Sequence, residues 1–166
     1  CRDFHHRRVE GGNRHHVTVA YADVSRRILP VGSDGDRSGT IEAGIGGTTV
    51  RAGMLKVVTD ESGITDDVAW IMRAASVAHE ATGVTITTHS NPGTRNGLDQ
   101  QRFLRACGVP LERVVVGHSG DTADLDYLRA LMDEGSTIGM DRFGMEHVLA
   151  DEQRVRTVLA LLRLGY

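Results

Sequence analysis

From residue 44 onward, short apolar runs alternate with amphipathic helical stretches, and this alternation constrains the fold more than any other feature of the sequence. The four apolar runs span residues 52–58, 84–88, 114–117 and 137–140, and each has the length of a strand. A helical pattern follows each run, which gives the order βαβαβαβα. Units of this kind build a parallel sheet, so the sequence predicts an α/β fold.

The helical stretches carry recognisable end signals. Thr65 precedes the first of them and Gly83 follows it, as expected of an N-cap and a C-terminal stop. The last stretch, near residues 151–164, is predicted to bury the apolar residues Val155, Val158, Leu159 and Leu162. Four βα units fit either a doubly wound sheet or part of a (β/α)₈ (TIM) barrel, because a whole barrel takes about 250 residues.

Residues 1–43 specify structure poorly, whereas residues 44–166 have the pattern of one globular domain. The N-terminal segment has little helical periodicity, and we expect it to contribute little ordered structure. Cys1 and Cys107 lie too far apart in sequence to suggest a metal-binding pair or a disulfide framework.

Charge and hydropathy limit the partners of the protein. The 19 basic and 22 acidic residues give a net charge of −3, which argues against nucleic acid and anionic membrane surfaces as partners. No apolar run reaches the length of about 18 residues that a membrane span requires, and residues 1–20 lack the apolar core of a signal peptide. The expected location is the cytoplasm, and the expected partner is a small molecule.

Four polar residues stand where the predicted strands end: Lys56, His89, His118 and Asp141. Their spacings of 33, 29 and 23 residues correspond to about one βα unit each, so all four should project to one rim of the sheet. A single histidine after an apolar run is usually an ordinary polar residue at a strand end. Two histidines on consecutive strands instead predict a metal site, because imidazole is a common ligand of zinc and similar ions.

The remaining histidines are not predicted to be ligands. Adjacent residues of a strand point to opposite faces, so neither His5-His6 nor His15-His16 should chelate a metal. His79 and His147 lie in polar surroundings and are predicted to be surface residues.

Lys56 is unusual because it lies within an apolar strand, where an unpaired ammonium group is costly. One interpretation is that it reaches water or pairs with Asp60 or Glu61. The other is that burial lowers its pKa, so that the neutral amine can react with carbon dioxide to form a carbamate ligand for metals. The residues alone leave both interpretations open.

Four collinear segments carry a family resemblance: Arg-Ala-Gly-Met-Leu-Lys at 51–56, Thr-Thr-His-Ser at 87–90, Gly-His-Ser-Gly-Asp-Thr at 117–122 and Ile-Gly-Met-Asp-Arg-Phe-Gly at 138–144. Through them, residues 44–166 resemble the phosphotriesterase family, and specifically its phosphotriesterase-like lactonase branch. The resemblance implies a (β/α)₈ barrel, of which this sequence contains only part. It also implies two divalent metals, expected to be zinc, bridged by a carboxylated lysine.

Carried over to this sequence, the resemblance makes Lys56 the bridging lysine and His89 and His118 ligands of one metal. It implies a catalytic, proton-relaying role for Asp121, although this residue could equally cap the helix that follows it. Arg142, followed by an aromatic residue and glycine, has the lactonase form and is implied in substrate binding. An arginine paired with a carboxylate at the rim is the alternative for Arg142.

The family's first-strand His-x-His pair and eighth-strand aspartate have no counterpart here, so at most one cation should be held well. The expected activity is metal-dependent opening of lactones by an activated hydroxide, with weak hydrolysis of organophosphate triesters. The alternative is an inactive remnant that serves only as an oligomerising or interaction scaffold. Unpaired strand edges predict that the protein forms homo-oligomers.

Overall fold

The computed structural model describes residues 48–166, which contain a four-stranded sheet with the strand order β1-β2-β3-β4. The strands are β1 (Met54–Val58), β2 (Thr85–His89), β3 (Val114–Gly117) and β4 (Thr137–Ile138). All three neighbouring pairs are parallel, which confirms the predicted α/β class. Strand β4 is shorter than the predicted run of 137–140. The predicted N-terminal segment, residues 1–43, lies outside the described residues.

The helices that follow the strands are α1 (Asp66–Thr82), α2 (Gly97–Ala106), α3 (Leu125–Asp133) and α4 (Asp151–Arg163). Helix α1 begins and ends as the sequence predicts, since the Thr65 hydroxyl accepts a hydrogen bond from the Val68 amide and the chain leaves the helix at Gly83. A cap of this kind contributes about 1 kcal/mol. Within residues 48–166, no helix has the length and apolar character needed to cross a bilayer.

The two faces of the sheet differ in their surroundings. Alternate residues such as Leu55, Ile86 and Val116 belong to one buried cluster, to which all four helices contribute. The other face carries Lys56 and His89, which are only partly buried. Because the helices share a single core on one face, the sheet is a section of a (β/α)₈ barrel rather than a doubly wound sheet.

The buried face of helix α4 differs from the prediction. Val155, Leu159 and Leu162 are 48%, 45% and 60% exposed, so the prediction that they are buried is wrong. Arg154, Thr157 and Leu161 are buried in their place. The physical reason is that the Arg154 guanidinium finds its hydrogen-bond partners inside the protein, and this rotates the inward face of the helix away from the most apolar stripe.

Of the two histidines predicted to lie at the surface, His147 is confirmed at the surface and His79 is buried, contrary to the prediction. His147 is exposed, as expected. His79 is only 7% exposed, and its Nδ1 lies 2.7 Å from the carbonyl oxygen of Val84. His79 lies in the last turn of helix α1, and Val84 lies just beyond the end of that helix. The hydrogen bond between them satisfies the buried ring, whereas the polar sequence around His79 suggests a surface position.

Candidate metal centre

Lys56 and His89 lie on the same face of the sheet. In the pairing of β1 with β2, Lys56 stands opposite Thr87, which is two residues before His89. The Lys56 Nζ atom donates a hydrogen bond of 2.6 Å to the carbonyl oxygen of Thr88. A Cβ atom at Gly117 would lie 3.3 Å from this Nζ and would collide with the same carbonyl oxygen, so the glycine leaves the space that the lysine uses.

The environment of Lys56 favours its neutral form. Burial lowers the pKa of the Lys56 amine, the charge of Arg142 lowers it further, and the charge of Asp141 opposes the shift. Among the described residues Lys56 forms no ion pair with Asp60 or Glu61, so that part of the first interpretation is wrong, whereas its partial exposure agrees with contact with water. The uncharged amine is therefore more available than that of an ordinary surface lysine.

Two imidazole rings contact each other at the carboxyl ends of β2 and β3. His89 is the last residue of β2, and His118 directly follows β3. Their ring centroids are 4.2 Å apart and the ring planes are nearly perpendicular, at 78°. Burial lowers the pKa of His89, with a further contribution from His118 beside it. Both effects favour neutral imidazole, which is the form that binds metal ions.

The donor chemistry of these three side chains fits a divalent cation in part. Two neutral imidazoles and one amine that carbon dioxide could convert to an oxygen donor resemble the nitrogen and oxygen ligands of zinc. The described part of the chain contains no cluster of three or more histidine, cysteine, aspartate or glutamate side chains placed to hold a metal. Among the described residues, the candidate metal ligands are therefore the two histidines and Lys56.

Asp141, the fourth residue of the predicted rim, contacts His118 directly. Its Oδ1 atom lies 3.0 Å from Nδ1 of the His118 ring and accepts a hydrogen bond of 3.1 Å from the His118 backbone amide. The sequence predicts that the two residues share a rim. The hydrogen bonds between them could not be read from it.

Asp121 lies between two arginines. Its side chain is only 6% exposed, and its two oxygens accept hydrogen bonds from Arg142 at 2.8 Å and Arg154 at 3.0 Å. Asp124, not Asp121, caps helix α3 by accepting from the Tyr127 amide, so the capping interpretation of Asp121 is wrong. The pairing of Arg142 with a carboxylate agrees with the alternative that the sequence leaves open for that arginine.

Arg154 is the part of this network that sequence reasoning missed. It is fully buried, and its guanidinium donates to the carbonyl oxygens of Gly120 and Leu149 and to the carboxylate of Asp151, besides Asp121. An arginine three residues after an aspartate is a common surface pair on helices. The sequence therefore gives no signal that this one is buried.

Comparison with known proteins places this chain in a family. A sequence profile of the phosphotriesterase family matches residues 38–166. The chain is 46% identical over 126 residues to a phosphotriesterase homology protein of Mycobacterium tuberculosis, covering 76% of this chain and 39% of that protein. It is 44% identical over 126 residues to an aryldialkylphosphatase of Saccharolobus solfataricus, covering 76% of this chain and 40% of that protein.

The fold agrees with the sequence comparison. The solved structure of the phosphotriesterase from Mycobacterium tuberculosis is similar to this chain with a TM-score of 0.74 at 46% identity, over 76% of this chain and 39% of that one. The chain thus spans about two fifths of the length of the curated relatives that it matches. These findings confirm the predicted resemblance to the phosphotriesterase family and the assignment of the sheet as part of a barrel. The chain belongs to the phosphotriesterase family.

Proposed function

We propose that this chain carries part of the site of a metal-dependent hydrolase that opens lactones. The observation that supports it most is the contact between the His89 and His118 rings, 4.2 Å apart, on the side of the sheet where Lys56 lies. His89 and His118 lie at the carboxyl ends of β2 and β3, where folds of this class keep their active sites, and the partly buried Lys56, the middle residue of β1, lies on the same face as His89. Membership of a hydrolase family supports the same reaction class.

His89 and His118 would hold the cation through ring nitrogens, and zinc suits such a set. Lys56 would supply an oxygen ligand once its amine attacks carbon dioxide, which forms an N–C bond and releases one proton. The lowered pKa of Lys56 favours that step because only the neutral amine is nucleophilic. A divalent cation supplies Lewis-acid chemistry, in which it polarises a carbonyl or phosphoryl oxygen and acidifies water.

Arg142 would bind the substrate at the mouth of the site. Its positive charge contributes to lowering the pKa of both Lys56 and His89. Asp121 fixes the Arg142 guanidinium through a hydrogen bond of 2.8 Å. Asp121 would also keep the proton-relaying role that the family resemblance implies, because each of its oxygens has a further lone pair besides the one that accepts from an arginine.

The lactone preference rests on the segment Arg142-Phe143-Gly144. The Phe143 side chain is 49% exposed beside the arginine and offers apolar surface to the chain of a lactone. An ester carbonyl needs one polarising cation and one activated water, which a site with few ligands can still supply. Zinc-reconstituted protein should therefore open a lactone faster than it cleaves an aryl phosphotriester.

The assay measures both reactions in the parent chain and in the Lys56→Ala variant, with zinc and with a chelator. Lactone opening should require zinc and fall at least about 100-fold in the variant. His147→Ala is the matched control, because this exposed histidine lies outside the site and its loss should change neither rate. Faster phosphotriester cleavage would contradict the lactone preference, and equal lactone rates in parent and Lys56→Ala would contradict the role of Lys56.

A second candidate function, a scaffold that associates with copies of itself, is favoured by one observation. Val155, Leu159 and Leu162 form an exposed apolar stripe on helix α4, and the spacing of four and three residues places them on one side of the helix. Apolar stripes of this kind are typical of protein interfaces. Strands β1 and β4 also lie at the edges of the described sheet.

Substitution of Leu159 by glutamate tests this candidate, because a charge in the middle of the stripe opposes apolar association. If the stripe joins two copies, the parent should elute as a dimer in size-exclusion chromatography with light scattering, and Leu159→Glu should shift it to the monomer mass. The exposed Glu152→Lys change on the same helix serves as the control and should leave the mass unchanged. A parent that is monomeric at high concentration would contradict the scaffold function.

A further inference from the structure

We propose that Asp141 is a positioning residue, which holds the His118 imidazole in the orientation and tautomer that a metal ligand needs. The inference rests on the proposed function in that it assigns His118 to the metal. Its structural basis is independent of any metal, because the Asp141 carboxylate hydrogen-bonds both to the backbone amide and to the ring Nδ1 of His118.

The contact with Asp141 determines which nitrogen of the His118 ring carries the hydrogen. Nδ1 of His118 lies 3.0 Å from Oδ1 of Asp141. An ionised carboxylate only accepts hydrogen bonds, so Nδ1 must be the nitrogen that carries the hydrogen. A neutral imidazole has one such hydrogen, and its Nε2 therefore keeps a free lone pair. That nitrogen is the one left to bind a cation.

The same carboxylate also supports an unusual backbone conformation at His118. His118 has φ 63° and ψ 14°, in the left-handed region that residues with a Cβ atom rarely adopt. The Asp141 carboxylate accepts from the His118 amide at 3.1 Å through Oδ1 and at 3.3 Å through Oδ2. Asp141 therefore stabilises the unusual backbone conformation from which the ring projects, as well as the ring itself. Strained residues held in this way concentrate at functional sites.

Gly139 leaves the space that lets Asp141 reach the histidine. After β4, the Gly139 amide donates to the carbonyl oxygen of Val116 at 2.8 Å, which keeps the chain against β3. A Cβ atom at Gly139 would lie 2.9 Å from the Gly117 Cα atom and 3.1 Å from the Asp141 Oδ2 atom. Any larger residue would therefore push apart the two segments that the carboxylate connects.

Loss of the Asp141 carboxylate should weaken metal binding by His118. Metal-ligating histidines commonly donate their other ring hydrogen to a carboxylate, and loss of that partner typically weakens metal binding by about 10- to 100-fold. The Asp141 side chain is 44% exposed, so a simple surface ion pair with a protonated His118 is the competing explanation. A test must therefore read the tautomer of neutral His118.

The first arm of the test is nitrogen NMR of ¹⁵N-histidine-labelled, metal-free protein at pH 8.5, well above the pKa of about 6.5 of an ordinary histidine. The His118 signals are identified by their loss in His118→Gln. We expect the parent to show His118 with its hydrogen on Nδ1 and Asp141→Ala to shift it towards the Nε2–H form. An Nε2–H ring in the parent, or an unchanged tautomer in Asp141→Ala, would overturn the proposal.

The second arm measures zinc affinity by calorimetry in the same proteins. Asp141→Ala should bind zinc about 10- to 100-fold more weakly than the parent, whereas Asp126→Asn, which alters a 90% exposed carboxylate on helix α3, should bind as the parent does. Equal affinity in Asp141→Ala and parent would overturn the positioning role. If the parent binds no zinc, the proposed function fails, and the tautomer still decides the inference about Asp141.

Circular dichroism verifies folding, and Asp141→Asn, which keeps the shape of the side chain, replaces Asp141→Ala if the latter unfolds.

Discussion

Replacement of Arg154 by alanine should lower the free energy of unfolding by about 3–5 kcal/mol, a large part of the stability of a domain of this size. The Arg154 side chain is fully buried and pairs with the Asp121 carboxylate, which is itself only 6% exposed. The substitution would leave that charge without one of its two partners. It would also remove the donors that satisfy the carbonyl oxygens of Gly120 and Leu149. Urea unfolding followed by circular dichroism measures the change.

Arg156 provides a matched control two residues along the same helix. It is 63% exposed and pairs with Glu152, and exposed pairs of this kind contribute little. Arg156→Ala should therefore change the free energy of unfolding by less than about 0.5 kcal/mol. A loss in Arg154→Ala as small as that in Arg156→Ala would contradict the structural role assigned to the buried arginine.

The strands and the rim could be predicted because they depend on local patterns. Short apolar runs separated by capped helices specify parallel βα units, and consecutive units bring the carboxyl ends of their strands to one rim of the sheet. Lys56, His89 and His118 could be singled out in this way before any side-chain geometry was known.

The burial of helix α4 could not be predicted in the same way. An apolar stripe is the usual guide to the inward face, and it points to Leu159 and its neighbours. Arg154 reverses that expectation because Asp121, 33 residues earlier in the chain, supplies a buried partner for its charge. His79 is a similar case, since a backbone carbonyl beyond the end of its helix makes burial of the ring possible. Such partners are set by tertiary structure.

The contact between Asp141 and His118 lies between these two cases. The spacing of 23 residues predicts that both lie at one rim. The hydrogen bonds also depend on the left-handed conformation of His118 and on the room left by Gly139. A pattern of residue types cannot specify either feature, because each arises only when β3 and β4 pack side by side.

Removal of both imidazoles should have the largest effect on metal binding. In the His89→Ala/His118→Ala double variant, only Lys56 remains of the three proposed ligands, and a single ligand does not hold zinc against dialysis. We expect zinc affinity to fall by more than about 100-fold, beyond the loss caused by removing a supporting carboxylate. Because both rings are partly exposed at the carboxyl ends of β2 and β3, the variant should keep its fold, which circular dichroism verifies.

The most direct test of the central claim is the zinc content of the purified protein after reconstitution and exhaustive dialysis, measured by mass spectrometry of the metal. The parent chain and the His147→Ala control should each retain about one zinc ion per chain, and the double variant should retain almost none. A parent that retains no zinc, or a double variant that retains as much as the parent, would contradict a metal site formed by His89, His118 and Lys56.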